Sequence, residues 1–238
     1  LPDKLSELDI EPERRLRKGR WPLRIRGSTS FGEVEFFAPL GCGSGGSSVL
    51  YAAALERLSP ADFRPRANHP AAVDSTLPET WPISYAELLP WYQQAEELYR
   101  VAGSPDPLAS DATAALREAP PLSARDRAID ELLARCGLHP YRVHVGCEFV
   151  PGCEGCGGIL CLRGCKRDAG WVCVVPAVER FGAKLLPRCE VLGLEAGPDS
   201  VEQIRCRVGG RELRIQARIV VLAAGALMTP RILLESRN

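Results

Sequence analysis

Hydrophobic positions along the chain change period several times, and each change marks a different element. Leu88, Trp91, Tyr92, Ala95, Leu98 and Tyr99 recur at helical spacing and predict a helix from Ser84 to about Val101. Ser84 and Glu87 form the sequence pattern of a capping box at its start. Pro90 falls early enough to be tolerated. The aromatic members of this stripe, Trp91, Tyr92 and Tyr99, read as core. A second helix is expected from Ser123 to Cys136, stopped by Gly137. Ser47–Arg57, with three successive alanines behind capping serines, also reads as helix.

The last third reads differently. Glu190–Ala196, Val201–Val208 and Glu212–Gln216 are short strand-like runs, separated by Gly197-Pro198-Asp199 and by Gly209-Gly210. Arg218–Gly225 is a continuous apolar run closing in small residues, the pattern of a strand buried on both faces. A helix follows, from about Leu227 to Ser236. Elsewhere the pattern is weaker. Glu11–Arg20 reads as a solvated run, Gly27–Ser30 as a loop, and 59–82 as proline-punctuated loop.

Composition narrows the function classes. The 238 residues suffice for one large domain or two small ones. Thirty basic and thirty acidic side chains balance, which argues against a general electrostatic nucleic-acid binder. No apolar run is long enough to be a transmembrane segment. The opening Leu1-Pro2-Asp3-Lys4-Leu5 lacks an initiator Met and a signal layout, so the chain is expected to be the interior of a longer protein. Its compartment is left open.

Two motifs carry chemistry. The first is Gly41-Cys42-Gly43-Ser44-Gly45-Gly46-Ser47-Ser48. Glycines there let a backbone bend or approach a ligand, and a helix start presents N–H groups suited to a phosphate. No Lys-Ser/Thr follows, so it is not a phosphate-binding loop of the Walker type. Phe36–Leu40 is a poor first Rossmann strand, so it is not the dinucleotide fingerprint either. By itself the turn reads equally as a tight serine-capped loop. The run Ile219–Gly225 likewise reads either as the strand beneath a cofactor or as one more core strand.

In order along the chain, three stretches resemble the glucose–methanol–choline (GMC) oxidoreductase family. They are Gly41–Phe63, Trp81–Tyr85 with Trp91–Glu96, and Ala217–Ser236. The resemblance implies an α/β fold with Rossmann-like FAD-binding segments, an inserted β-meander and a helical substrate-domain portion, here incomplete. Residues 39–63 and 189–238 would belong to the FAD domain. Residues 64–188 would lie mainly on the substrate or cap side and include the cysteine-rich segment. It further implies FAD as cofactor, and oxidation of a CH–OH group in a small-molecule alcohol, sugar or sterol by hydride transfer to flavin. The electron acceptor, oxygen, quinone or another carrier, is left open. Carried over by position, Gly45, Gly46, Ser47 and Ser48 would wrap the flavin and pyrophosphate. Val191 would meet adenine through its backbone, and Ala224 and Gly225 would lie beside the dinucleotide. Tyr51 stands where several members have Asn.

The family's N-terminal glycine fingerprint and its catalytic histidine segment match nothing between Leu1 and Asn238. The isolated chain is therefore expected to be inactive and to bind FAD weakly. No catalytic residue is assigned, and His69, His139 and His144 read as surface or packing residues.

The second motif is the cysteine cluster. The chain has ten cysteines, and Cys153, Cys156, Cys161 and Cys165 follow C-x2-C-x4-C-x3-C, with Cys147 and Cys173 on either side. Such spacing suits zinc or an iron–sulfur cluster. It also suits plain thiols or disulfides, and the residues alone do not decide. The competing functional reading is a metal or electron-transfer module built on these cysteines.

Overall fold

The computed structural model describes residues 11–71, 74–109 and 115–236. The chain divides into two compact units, Leu1–Phe181 and Gly182–Asn238.

In the first unit, helix α1 (Pro12–Arg17) leads into a hairpin of strands β1 (Ile25–Thr29) and β2 (Gly32–Phe36). The hairpin replaces the loop expected at Gly27–Ser30, whereas the Glu11–Arg20 run is solvated as expected except at Arg15 and Gly19. Arg15 is 1% exposed, because its Nε donates to the Trp21 carbonyl at 2.9 Å and its guanidinium stacks 3.9 Å from the Phe37 ring centroid. The hairpin forms through the Ser30-Phe31 tip, where the Thr29 hydroxyl bonds the Gly32 carbonyl.

Ser47–Arg57 is not the expected helix. A single 3-10 turn covers Gly46–Leu50. The alanines then run extended, because Ala53 adopts a positive φ of 65° and the Leu55 N–H bonds the His144 carbonyl. Ala54 thereby bridges Val145, which also bridges Ala102. Pairing across sequence-distant residues has overridden local helix propensity.

Helix α2 (Tyr85–Tyr99) starts at Ser84 with its capping box formed in both directions. Its buried residue is Glu96, not the aromatic stripe; Trp91 is 62% exposed. The helix packs through Tyr85 against Phe63, with ring centroids 5.9 Å apart, and through Glu96 against Arg57. Strands β3 (Ala102–Gly103) and β4 (Arg117–Glu118) form a short parallel pair. Helix α3 (Ala124–Arg135) is capped by Ser123, as the sequence predicts, and buries none of its residues. A wide turn at Gly170–Val174 continues into helix α4 (Val175–Phe181). Buried Ala38, Val49, Ala53, Phe63, Val101, Ala102 and Val172 supply the apolar interior, together with three cysteines.

The second unit is a three-stranded antiparallel sheet, order β5 (Cys189–Ala196), β6 (Val201–Val208), β7 (Arg211–Ile215), followed by helix α5 (Gly225–Glu235). The helix docks on β5. The Ser236 hydroxyl accepts from the Leu194 N–H at 2.7 Å and donates to the Ile232 carbonyl. Gly193 allows this approach: a β-carbon there would stand 3.3 Å from the Glu235 carbonyl oxygen. The expected doubly buried strand at 218–225 does not form. Ile219 and Val221 are 81% and 79% exposed. A parallel strand needs hydrogen-bonding neighbours, and no strand among the described residues pairs with this run.

Candidate functional site

The glycine turn is built on a second turn, about 120 residues further along the chain. Gly45 and Gly46 take positive φ, 100° and 56°, which favours glycine. A β-carbon on Gly45 would lie 2.6 Å from the Gly170 nitrogen, and one on Gly170 would lie 2.6 Å from the Ser44 carbonyl oxygen. Gly41 is equally confined, by the Gly46 carbonyl and the Ser47 Cα. Asp168 shapes the partner turn, its Oδ1 accepting the N–H groups of Gly170 and Trp171 at 2.8 and 3.2 Å.

The two serines play different parts. The Ser48 hydroxyl donates to the Gly45 carbonyl and accepts from the Ala169 N–H at 2.9 Å, so it latches the turns together. The Ser47 oxygen accepts from the Gly41 N–H, while Ser47 and Gly46 remain exposed. Around Gly46, as around Gly43, no described residue other than its chain neighbours has an atom within 4 Å of the β-carbon position. The crowded glycines therefore serve the protein's own packing, and the open face a ligand could approach is at Gly43, Gly46 and Ser47.

Behind the turn stands Tyr51. Its hydroxyl donates to the Arg167 carbonyl, and burial pushes its phenol well above the usual tyrosine range. Lys166 is 3% exposed, and its ammonium donates to the carbonyls of Tyr51, Cys156 and Ile159 at 3.1, 3.1 and 2.6 Å. Burial lowers its pKa. Glu148 draws together Arg100, Arg117 and Arg167, the last at 2.6 Å. None of these residues was legible in the sequence as site-forming, because their partners lie far away along the chain.

Val191, Ala224 and Gly225 belong to the second unit. Val191 sits on β5 opposite Cys206, next to a bulge before Gly193. Ala224 caps α5, its N–H bonded to Thr229 Oγ1 at 3.2 Å, and Gly225 has a φ of 80°. The histidines behave as packing or surface residues. His144 is buried with Nε2 2.9 Å from the Ser104 carbonyl, and Nδ1 is 3.1 Å from Glu56 without the alignment of a hydrogen bond. His69 and His139 are exposed.

The cysteines gather tightly. Cys147, Cys161 and Cys165 are buried, with Cys153 and Cys156 packed against them. Burial raises the thiols of Cys147 to about 11 and Cys165 to about 12. Burial also works to raise Cys161, but N–H groups of Lys166, Arg163 and Cys165, with the Cys165 thiol, outweigh it and lower Cys161 to about 7. A cleft of about 190 Å³, lined in part by Ala53, Val145, Phe149, Cys156 and Lys166, opens beside this nest. Among the described residues, no helix is long and apolar enough to cross a membrane.

Comparison with known proteins adds to this geometry. The family model described as GMC oxidoreductase matches residues 27–237. The chain is 30% identical over 207 residues to a 2-methyl-1,2-propanediol dehydrogenase of Mycolicibacterium austroafricanum, covering 81% of the chain and 36% of the relative. It is 29% identical to a paromamine 6'-oxidase of Streptomyces fradiae, covering 82% and 36%. It is 27% identical to the fructose dehydrogenase large subunit of Gluconobacter japonicus, covering 82% and 37%. The chain thus spans just over a third of the length of these relatives.

Proposed function

The chain belongs to the GMC oxidoreductase family, and from that premise we propose that it forms part of the FAD cradle of an enzyme oxidising a CH–OH group. The observation that carries this reading is the glycine turn latched by Ser48 to Asp168–Gly170 with Gly46 and Ser47 left open. A turn so fixed presents backbone at a constant position without side-chain bulk, which is what close approach of a dinucleotide requires.

In this reading Gly45 and Ser48 hold the turn, while Gly46 and Ser47 face the cofactor. By their positions in the family, the backbone at Val191 would meet the adenine end, and Ala224 and Gly225 would lie beside the dinucleotide. FAD supplies the hydride acceptor. The alcohol's hydroxyl proton must pass to a base, and His144 is not proposed for that task, because its ring is buried and held between Ser104 and Glu56. Propanediol and fructose, named in two of the relatives, carry CH–OH groups, so small polyols and sugars are the first donors to try.

The test is spectroscopic. The full-length protein is expected to carry an oxidised-flavin band that bleaches anaerobically on adding a polyol or sugar donor. A folded but colourless protein, unable to take up added FAD, refutes the proposal.

A further inference from the structure

We propose that Cys147, Cys153, Cys161 and Cys165 form a tetrathiolate site for a single zinc-type divalent ion, a centre separate from flavin chemistry. The sulfurs make a continuous chain of contacts: 3.8 Å from Cys147 to Cys153, 3.5 Å from Cys153 to Cys165, and 3.4 Å from Cys165 to Cys161. The Cys147, Cys153 and Cys165 sulfurs all lie within 4.8 Å of one another. Four sulfurs placed tetrahedrally at the usual zinc–sulfur bond length have edges of about 3.8 Å; Cys161 reaches the other three through Cys165 alone and must swing inward on metal binding to complete the tetrahedron. An iron–sulfur cluster interposes bridging sulfides between its irons and holds its thiolates farther apart. The three contacts are alike in length, so no pair is singled out, and all four cysteines are free thiols.

The loop around the sulfurs is shaped by glycines. Gly152, Gly155, Gly158 and Gly164 take positive φ and let a short segment fold its cysteines inward. Lys166 is a second, independent pointer. Its buried ammonium is held by three neutral carbonyls, and among the described residues it has no carboxylate ion pair. The nearby Asp168 directs Oδ1 to the N–H groups of Gly170 and Trp171 instead. A buried cation needs a compensating anion, and a zinc ion with four thiolates carries a net charge opposite to that of Lys166. Binding forms four Zn–S bonds and releases four thiol protons to solvent, with no change of oxidation state.

Position gives the site its consequence. Cys147 bridges Lys166, and the segment that follows, Arg167–Gly170, supports Tyr51 and the glycine turn. The metal would brace the cradle from behind.

Elemental analysis of the full-length protein, purified without added metal or chelator, is expected to find one zinc per chain. Cobalt exchanged into the site should show the ligand-field bands of a tetrahedral thiolate centre. Cys153→Ser and Cys165→Ser should reduce zinc to below about a tenth of an equivalent, whereas Cys42→Ser and Cys136→Ser should retain it. Where a variant fails to fold, alkylation of the native protein decides: Cys147, Cys153, Cys161 and Cys165 should resist modification until a chelator withdraws zinc. Iron with acid-labile sulfide in place of zinc overturns the proposal. So does a folded, metal-free protein that takes up no zinc, with these cysteines either freely alkylated or mapped as disulfides. Zinc content is read independently of flavin absorbance, so this result and the flavin result fail separately.

Discussion

Gly45 and Gly170 approach until a side-chain carbon on the first would stand 2.6 Å from the backbone nitrogen of the second. Two turns far apart in sequence are thus held backbone to backbone. Gly45→Ala must either separate them or strain a residue at φ 100°, costing about 2–4 kcal/mol. Gly170→Ala meets the Ser44 carbonyl and should cost a similar amount. Gly157→Ala, with its nearest neighbour 3.8 Å away, should be nearly neutral. Denaturant unfolding of the three variants checks the ordering.

Gly46 separates ligand binding from packing. Nothing lies near its β-carbon position, so Gly46→Ala should cost only the left-handed backbone term of about 1 kcal/mol. If the open face receives FAD, the same change should lower flavin occupancy more than Gly45→Ala does at equal stability. Flavin-to-protein ratios set beside unfolding curves measure this. Equal retention by wild type and Gly46→Ala refutes the assignment of that face.

Arg57 and Glu96 join the glycine-turn segment to α2. Both side chains are under 10% exposed and meet in two bonds of 2.6 and 2.8 Å; Glu96 also accepts the Ala115 N–H at 3.1 Å. The hydrogen bonds that Arg57 donates to Glu96 raise its pKa. Glu96→Ala strands a buried guanidinium and should destabilise by about 3–5 kcal/mol. Replacing Arg57 and Glu96 together by leucine and methionine should cost less than the single change. A double-mutant cycle followed by thermal unfolding reads the coupling.

Glu87 gives a pH dependence of definite sign. Hydrogen bonds from the Ser84 side chain and backbone lower its pKa. Its contribution is complete above the ordinary glutamate range and lost as pH falls through the depressed folded value. Glu87→Gln should therefore be less stable than wild type near neutrality, and the gap should close on acidification. A gap independent of pH overturns the cap's electrostatic role.

Ser236 ties α5 to β5. Ser236→Ala leaves the N–H of buried Leu194 without its 2.7 Å acceptor and should cost about 1–2 kcal/mol. Amide hydrogen exchange should rise at Leu194 while β6 and β7 stay protected.

The resemblance between Trp81–Glu96 and its family has a structural basis that side-chain pattern alone conceals. Ser84 and Glu87 cap α2, and Glu96 reaches Arg57 in the first matching stretch. The capping box was legible because its partners are three residues apart. The ion pair was not, because its partners are 39 residues apart.

Local chemistry settled a good deal from sequence: the caps and lengths of α2 and α3, the three strands of the second unit, the glycine turn and the cysteine spacing. Each depends on residues within one element or one turn of each other. Tertiary structure decided the rest. It converted the alanine run after Ser48 from helix to extended chain, because Val145 offered backbone partners. It left Ile219–Ala224 without strand partners among the described residues, although the residues themselves suit a buried strand. It placed Trp91 outside and Glu96 inside. It also divided the glycine turn's labour, crowding Gly45 against Gly170 and leaving Gly46 open. Hydrophobic period and turn chemistry act over a few residues, whereas the hydrogen-bond partner that overrides them can come from anywhere in the chain.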